Sequence, residues 1–216
     1  MNFTTIMSSL TSGMGVSIYI FIITLLFSLP LGLIVAFARM SKNPVLSTLS
    51  KVYISVMRGT PLMLQLMVVY FGPYYIFGVK VTNSYRIWAA LIGFVINYAA
   101  YFAEIYRSGI QSMPAGQYEA AQLLGYSKSQ TFFVIILPQV VKRILPSVAN
   151  EVITLVKDTS LAFTISVAEM FSTAKALASS TTSMMPFVAA ALFYYVFNFI
   201  VAALMDFLEK KMAYYK

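Results

Sequence analysis

The sequence predicts an all-α integral membrane protein of about five transmembrane helices, with its N-terminus outside and its C-terminus in the cytoplasm. Three observations carry this expectation. Of the 216 residues, 60% are hydrophobic and only 10% are charged, whereas a soluble domain needs about 25% charged residues to face water. Apolar runs recur that reach the length of ~20 residues a helix needs to cross the hydrocarbon layer. The 15 basic residues are shared unevenly among the connections between those runs.

The first span reads over residues 16–38, with Pro30 and Gly32 forming a kink that a membrane helix tolerates. The second begins at Pro61 and runs over 61–79, extended backwards by the apolar stretch "KVYISVM". The third covers 87–106 and the last 187–205. Between these two lie Pro138, Lys142, Arg143, Pro146, Glu151, Lys157 and Asp158, which leave no clean hydropathy signal. One interrupted helix over about 146–166 is expected there and completes the set of five.

With the N-terminus outside, the inner side receives Arg39, Lys42, Lys51, Arg58, Arg107, Lys128, Lys142, Arg143, Lys210, Lys211 and Lys216. Lys80, Arg86, Lys157 and Lys175 fall outside or within the membrane. This excess of inner-side Lys and Arg sets the orientation, because basic loops are retained in the cytoplasm. It also accounts for the net charge of +8 without invoking nucleic acid. Cysteine and histidine are both absent, which removes disulfides, thiol metal sites and the commonest metal ligand. The opening "MNFTTIMSSLTSGMG" has no basic n-region, so no cleaved signal peptide is expected. No internal repeat supports the inverted-repeat plan of many secondary transporters. Residues 1–216 read as a single transmembrane domain with one large cytoplasmic loop over about 107–138.

That loop is polar in an apolar chain. Residues 119–124 favour helix, Pro114 and Gly116 break the chain before it, and Gly125 permits a sharp turn. Ser127 can cap a second short helix. The hairpin would present Tyr118, Ala121, Gln122 and Leu124 to a groove on another protein, or lie on the headgroups as an amphipathic helix. Glu119-Ala120-Ala121, then Gly125, Ile135 and Leu137-Pro138, resemble without a gap the EAA signature of permease subunits of bacterial ABC importers. "RGTPLMLQLMVVYFG", "NYAAYFAEIYRSGIQSMPAGQYEAAQLLG" and "LPSVANEVITLVKDTSLAFTIS" are similar to the polar amino acid branch of that family, over roughly residues 15–210.

The resemblance implies a type I ABC importer permease in the bacterial cytoplasmic membrane. The hairpin is then a coupling helix, with Tyr118, Glu119, Ala120, Ala121, Leu124 and Gly125 meeting an ATP-binding subunit. It further implies a dimer of ATP-binding subunits holding ATP and magnesium, a second permease copy or paralogue, and an extracytoplasmic amino acid-binding protein. This chain has no G-x-x-x-x-G-K-[ST] loop, so it is expected to bind no nucleotide, hold no cofactor or metal and catalyse no covalent step.

Ionisable groups inside the membrane mark candidate sites, since a charge there is costly unless paired or hydrated. Glu151 and Asp158 are two helical turns apart with Thr154 between them, a strip suited to an ammonium group. Alternatively Asp158 pairs with a basic residue or caps a helix end. Asn97, Tyr101 and Glu104 share one face of the third span, as pathway residues or as an internal network with Glu104 paired to Arg58 or Arg107. Arg58-Gly59-Thr60-Pro61 reads as a structural helix start, with Thr60 as cap. "KDTSLAFTI" resembles cystine-type permeases, the two acids suit a cationic substrate, and Lys157 could serve a zwitterion's carboxylate. An ion-coupled secondary transporter using Glu104, Glu151 and Asp158 is the alternative, and a membrane scaffold that only recruits a soluble partner is another.

Overall fold

The computed structural model describes residues 3–212, and every regular element among them is helical. Lys216, expected on the inner side, lies outside the described residues. Among the described residues four helices are long and apolar enough to cross a membrane, and a bent helix pair makes five if it counts as one broken span.

The first helix, α1 (Phe3–Arg39), is 37 residues long. It begins well before the apolar run expected from residue 16. Ile6, Leu10 and Met14 recur every four residues and pack on Met170, Ala174 and Ala189, so tertiary contact carries the helix beyond its most apolar part. At its other end Gly32 lies against the next long helix: an added Cβ would sit 2.8 Å from Phe102 Cβ and 3.0 Å from the Ala99 carbonyl. Small residues allow this approach, which van der Waals packing between membrane helices requires.

The second span is broken. α2 (Pro44–Gly59) and α3 (Leu62–Phe77) meet at a bend of 111°, so "KVYISVM" is no straight extension of the span that starts at Pro61. Pro61 forces its predecessor out of the helical region, and Thr60 accordingly has φ −122° and ψ 149°. The Thr60 hydroxyl donates to the Val56 carbonyl at 2.8 Å, so it closes α2 and does not open α3.

α4 (Tyr85–Gln111) is the most enclosed helix, with Phe94, Tyr98 and Phe102 among the core side chains it contributes. It packs against α1, α2, α3 and the later α7 (Leu137–Asp158). At Gly109 an added Cβ would come within 2.1 Å of Ile144 Cγ2, which sets the close seam between α4 and α7.

Because α4 continues to Gln111 and the next apolar run starts at Lys128, the loop expected over 107–138 is shorter than its sequence suggests. It contains α5 (Ala115–Leu123) and leads into α6 (Lys128–Gln130). From Lys128 to Ile165 the chain is one run of 38 residues, passing through a π-helical turn (Thr131–Ile136), α7 and a 3-10 segment (Thr159–Ile165). The fourth span therefore starts long before residue 146, and Pro146 lies inside α7 without interrupting it. A proline removes one ladder hydrogen bond, but packed neighbours can hold such a helix together. Ser166, at φ 59°, ends the run where the sequence predicted.

α8 (Met170–Thr181) was not expected from hydropathy. Glu169, fully buried, caps it by accepting 2.7 Å bonds from the Phe171 and Ser172 amides and a 3.0 Å bond from the Tyr194 hydroxyl. Burial pushes its carboxyl above the usual range, against the opposing pull of these donors. α9 (Met185–Met212) carries Tyr194 and closes the bundle. One end of the bundle, the basic end, gathers Arg39, Arg107, Arg143 and the α5–α6 segment.

Candidate functional site

Along α7 one side is buried through Ile144, Ala149, Val152, Leu155 and Val156. The other side presents Arg143, Ser147, Asn150, Glu151, Thr154, Lys157 and Asp158, each exposed or half-buried. These residues follow the three- and four-residue steps of a helix and form one continuous polar face. A face of that kind on a membrane helix requires water or another protein surface, because lipid satisfies neither hydroxyls nor charges.

A cavity of about 340 Å³ opens beside this face, between the end of α2, the basic-end half of α4, and α7. Arg58, Tyr101, Glu104, Ser108, Arg143, Ser147 and Glu151 are among its walls. The Arg58 guanidinium lies 5.4 Å from the centre of the Tyr101 ring. Glu104 forms a two-pronged ion pair with Arg107, whose Nε donates to Oε2 at 2.9 Å. Arg143 donates to the Ser112 carbonyl at 2.6 Å and to its hydroxyl at 2.9 Å. Among the described residues, Glu151 and Arg58 make no hydrogen bond and no ion pair.

The fold thus sorts the five candidate pathway residues. Glu151 and Tyr101 line the cavity together. Thr154 lies one turn further along the same face of α7 and is exposed. Asp158 accepts a 2.8 Å hydrogen bond from the Tyr98 hydroxyl of α4, so its partner is a phenol and no basic residue. Asn97 does not reach the cavity. It is 3% exposed and donates to the Met57 carbonyl at 3.1 Å and to Gln65 Oε1 at 2.9 Å. Gln65 in turn donates to Met57, to the Thr60 carbonyl and to the Thr60 hydroxyl at 2.9, 3.1 and 2.8 Å. Together they tie the broken second span to α4. Glu104 takes Arg107 as its partner, one of the two options its sequence neighbours offered. Arg58 and Arg143 were not singled out as cavity residues; nothing local in the sequence marks them, since each reaches the cavity through the packing of a different helix.

The α5–α6 segment is a second candidate site. Gly125, at φ +82°, ends α5 with a bond from its own N–H to the Gln122 carbonyl (3.0 Å) and one from Tyr126 N–H to Ala121 (3.0 Å). That pattern needs a left-handed residue, which glycine supplies without steric cost. Ser127 then caps α6 with Gln130 reaching back to its amide, as the sequence predicted for Ser127. Gln117 and Gln139 exchange hydrogen bonds of 2.9 and 2.8 Å and clamp α5 to α7. The result is a braced bracket. Its outer surface consists of Glu119, Ala120, Gln122, Leu123 and Leu124, the two leucines being 90% and 76% exposed. Ala121, expected on that surface, is instead buried at 2%, and Tyr118 is half-buried against Met113, Ile136, Val140 and Ile144. On a helix this short the inward side takes every third or fourth residue, so Leu123 replaces Ala121 on the outside.

Comparison with known proteins agrees with this geometry. Residues 28–214 match the family described as binding-protein-dependent transport system inner membrane component. The chain is 37% identical over 206 residues to the probable amino-acid permease protein YxeN of Bacillus subtilis (strain 168), covering 95% of this chain and 92% of that one. It is 40% identical over 191 residues to the L-cystine transport system permease protein TcyL of the same organism, covering 87% and 80% of the two chains. A crystal structure of an amino acid ABC transporter with histidines superimposes with a TM-score of 0.87 at 29% identity, covering 98% and 99%.

Proposed function

This chain belongs to the family of binding-protein-dependent transport system inner membrane components, as an amino-acid ABC transporter permease, and from that premise we propose how it works. It is the membrane-spanning half of an ATP-driven importer of polar amino acids. Two copies, or one copy and a paralogue, face each other across the polar sides of α7 and enclose the path between them. The basic end lies in the cytoplasm, in keeping with the retention of Lys and Arg there. The bracket around Gly125 seats in an ATP-binding subunit, which holds ATP and magnesium, with Leu123, Leu124, Glu119 and Ala120 as the docking surface. An extracytoplasmic binding protein delivers the amino acid at the opposite end. Cystine is a candidate substrate, supported by the likeness to TcyL and to cystine-type permeases.

The observation that carries this reading is the polar face of α7, on which Ser147, Glu151 and Thr154 have no hydrogen-bond partner among the described residues, beside a cavity of about 340 Å³. Glu151 is the substrate-binding carboxylate, with Tyr101 beside it and Thr154 one turn on. Asp158 and Asn97 act from behind, holding α7 and the broken span against α4. The chain carries out no covalent step; its contribution is two differently shaped openings of one path.

The test is uptake into proteoliposomes containing the permease, its ATP-binding subunits and its binding protein. We expect accumulation that requires ATP inside the catalytic compartment, and a fall of about tenfold or more for Glu151→Gln, the scale of losing one charged hydrogen bond. Uptake that survives ATP depletion but collapses with the ion gradient would instead identify an ion-coupled secondary transporter.

A further inference from the structure

We propose that Arg58 recognises the α-carboxylate of the transported amino acid, opposite Glu151, so that the cavity selects zwitterions by holding both charges at once. This rests on the reading of the cavity as the transport site.

Four charged side chains line the cavity, and two of them are already engaged. Glu104 is held by Arg107 and Arg143 by Ser112. Arg58 and Glu151 remain, of opposite sign, on different helices, and too far apart to form an ion pair with each other. Charges in a membrane helix are costly unless paired or hydrated. A dipolar ligand placed between these two would pair both, whereas a ligand bearing one charge would leave the other without a partner.

The base of Arg58 is also unusually well fixed for an exposed residue. It lies in the last turn of α2, directly before the bend, where Met57 receives bonds from Asn97 and Gln65, and Thr60 from Gln65. The Tyr53 hydroxyl of the same helix donates to the Ile96 carbonyl of α4. At its tip the guanidinium rests by the Tyr101 ring at 5.4 Å. Contact with an aromatic ring leaves the N–H edge of a guanidinium open, and that edge matches a carboxylate with two parallel hydrogen bonds. The network around Asn97 and Gln65 therefore gains a role: it aims the residue that follows Met57.

The experiment uses the assembled permease and ATP-binding subunits in nanodiscs without the binding protein, so that selectivity of the delivery protein does not enter. The probe is whichever of radiolabelled L-cystine, L-glutamine or L-arginine the wild-type system takes up, competed by the same amino acid or by its α-amide. We expect the amide to compete about tenfold or more weakly in the wild type. Arg58→Gln should lower amino acid affinity by about tenfold to a hundredfold and abolish the preference over the amide, as loss of a charge-assisted pair implies. Arg58→Lys, which keeps the charge but not the fork, should fall between them. Wild-type affinity and preference in Arg58→Gln, with Glu151→Gln defective, would overturn the role of Arg58 and leave the cavity as the site. Wild-type behaviour in both variants would overturn the cavity reading as well. If Arg58→Gln fails to assemble, Arg58→Lys decides: unchanged affinity and unchanged preference for the carboxylate overturn the proposal.

Discussion

α4 and α7 run side by side through the apolar layer, and each carries polar side chains at helical spacing. On α4, Asn97, Tyr98 and Glu104 are bonded to Gln65 and Met57, to Asp158, and to Arg107 respectively. On α7, Ser147, Glu151 and Thr154 face outwards and make no hydrogen bond through their side chains to the described residues. The same sequence pattern therefore marks a braced core in one helix and an open wall in the other. What separates them is whether a complementary group lies across the interface, and that group is far away in sequence: Gln65 is 32 residues from Asn97 and Asp158 is 60 from Tyr98.

From this contrast, variants of the braced residues on α4 should cost stability and variants on the open face of α7 should cost transport. The largest stability effect is expected at the seam itself. Gly109→Val places atoms where Ile144 already lies, within 2.1 Å of an added Cβ. Overpacking of this kind costs roughly 1–3 kcal/mol or more, read as a lower thermal midpoint of the purified complex. Combining it with Ile144→Ala should recover much of the loss; failure to recover would mean that the seam is set elsewhere.

Asn97→Leu comes next. It leaves Gln65 Oε1 without its Asn97 donor in a buried setting, a loss of roughly 1–3 kcal/mol, and frees the bend beneath Arg58. A thermal midpoint equal to that of the wild type would break the comparison, since Asn97 would then be no brace. The smallest effect belongs to Thr154→Val. With an exposed hydroxyl and no hydrogen-bond partner among the described residues, it should change stability by no more than about 0.5 kcal/mol. Transport should fall, measured as uptake per assembled complex. A clear loss of stability in Thr154→Val would show that the face of α7 is occupied by this chain's own structure.

Much of the architecture was legible because membranes impose a coarse rule. A run of about 20 apolar residues has few fates other than a span, and so α1, α4 and α9 stood out. The bracket was legible for a different reason: the turn after α5 requires a residue at positive φ, and Gly125 supplies it. The end of the fourth span near Ser166 was placed correctly, but its start was not. Pro146 and the charges of α7 look like an interruption when hydropathy is averaged along the chain. In three dimensions they lie on one face, and the other face packs normally. α8 was missed because a 12-residue helix anchored by a buried Glu169 has no hydropathy signature; its cap works through Tyr194, 25 residues later.

For the cavity the balance shifts further towards tertiary structure. Glu151 and Tyr101 were marked by chemistry alone, as a carboxylate and a phenol on polar stripes. Arg58 looked like part of a helix start, and only the 111° bend at Pro61 brings it to the same space. Asn97 and Asp158 were marked as pathway residues by their chemistry, and only the fold shows that Gln65 and Tyr98 are their hydrogen-bond partners.

By itself, the sequence determined that this protein lives in a membrane, where its main spans run and that a sharp glycine turn forms its bracket. Each of these follows from local properties, namely apolar length and backbone conformation, which need no distant partner. Only the tertiary structure decided which polar groups are satisfied and which remain open. Hydrogen bonds and charges are judged by what stands opposite them within a few ångströms, and helices from distant parts of the chain provide those neighbours.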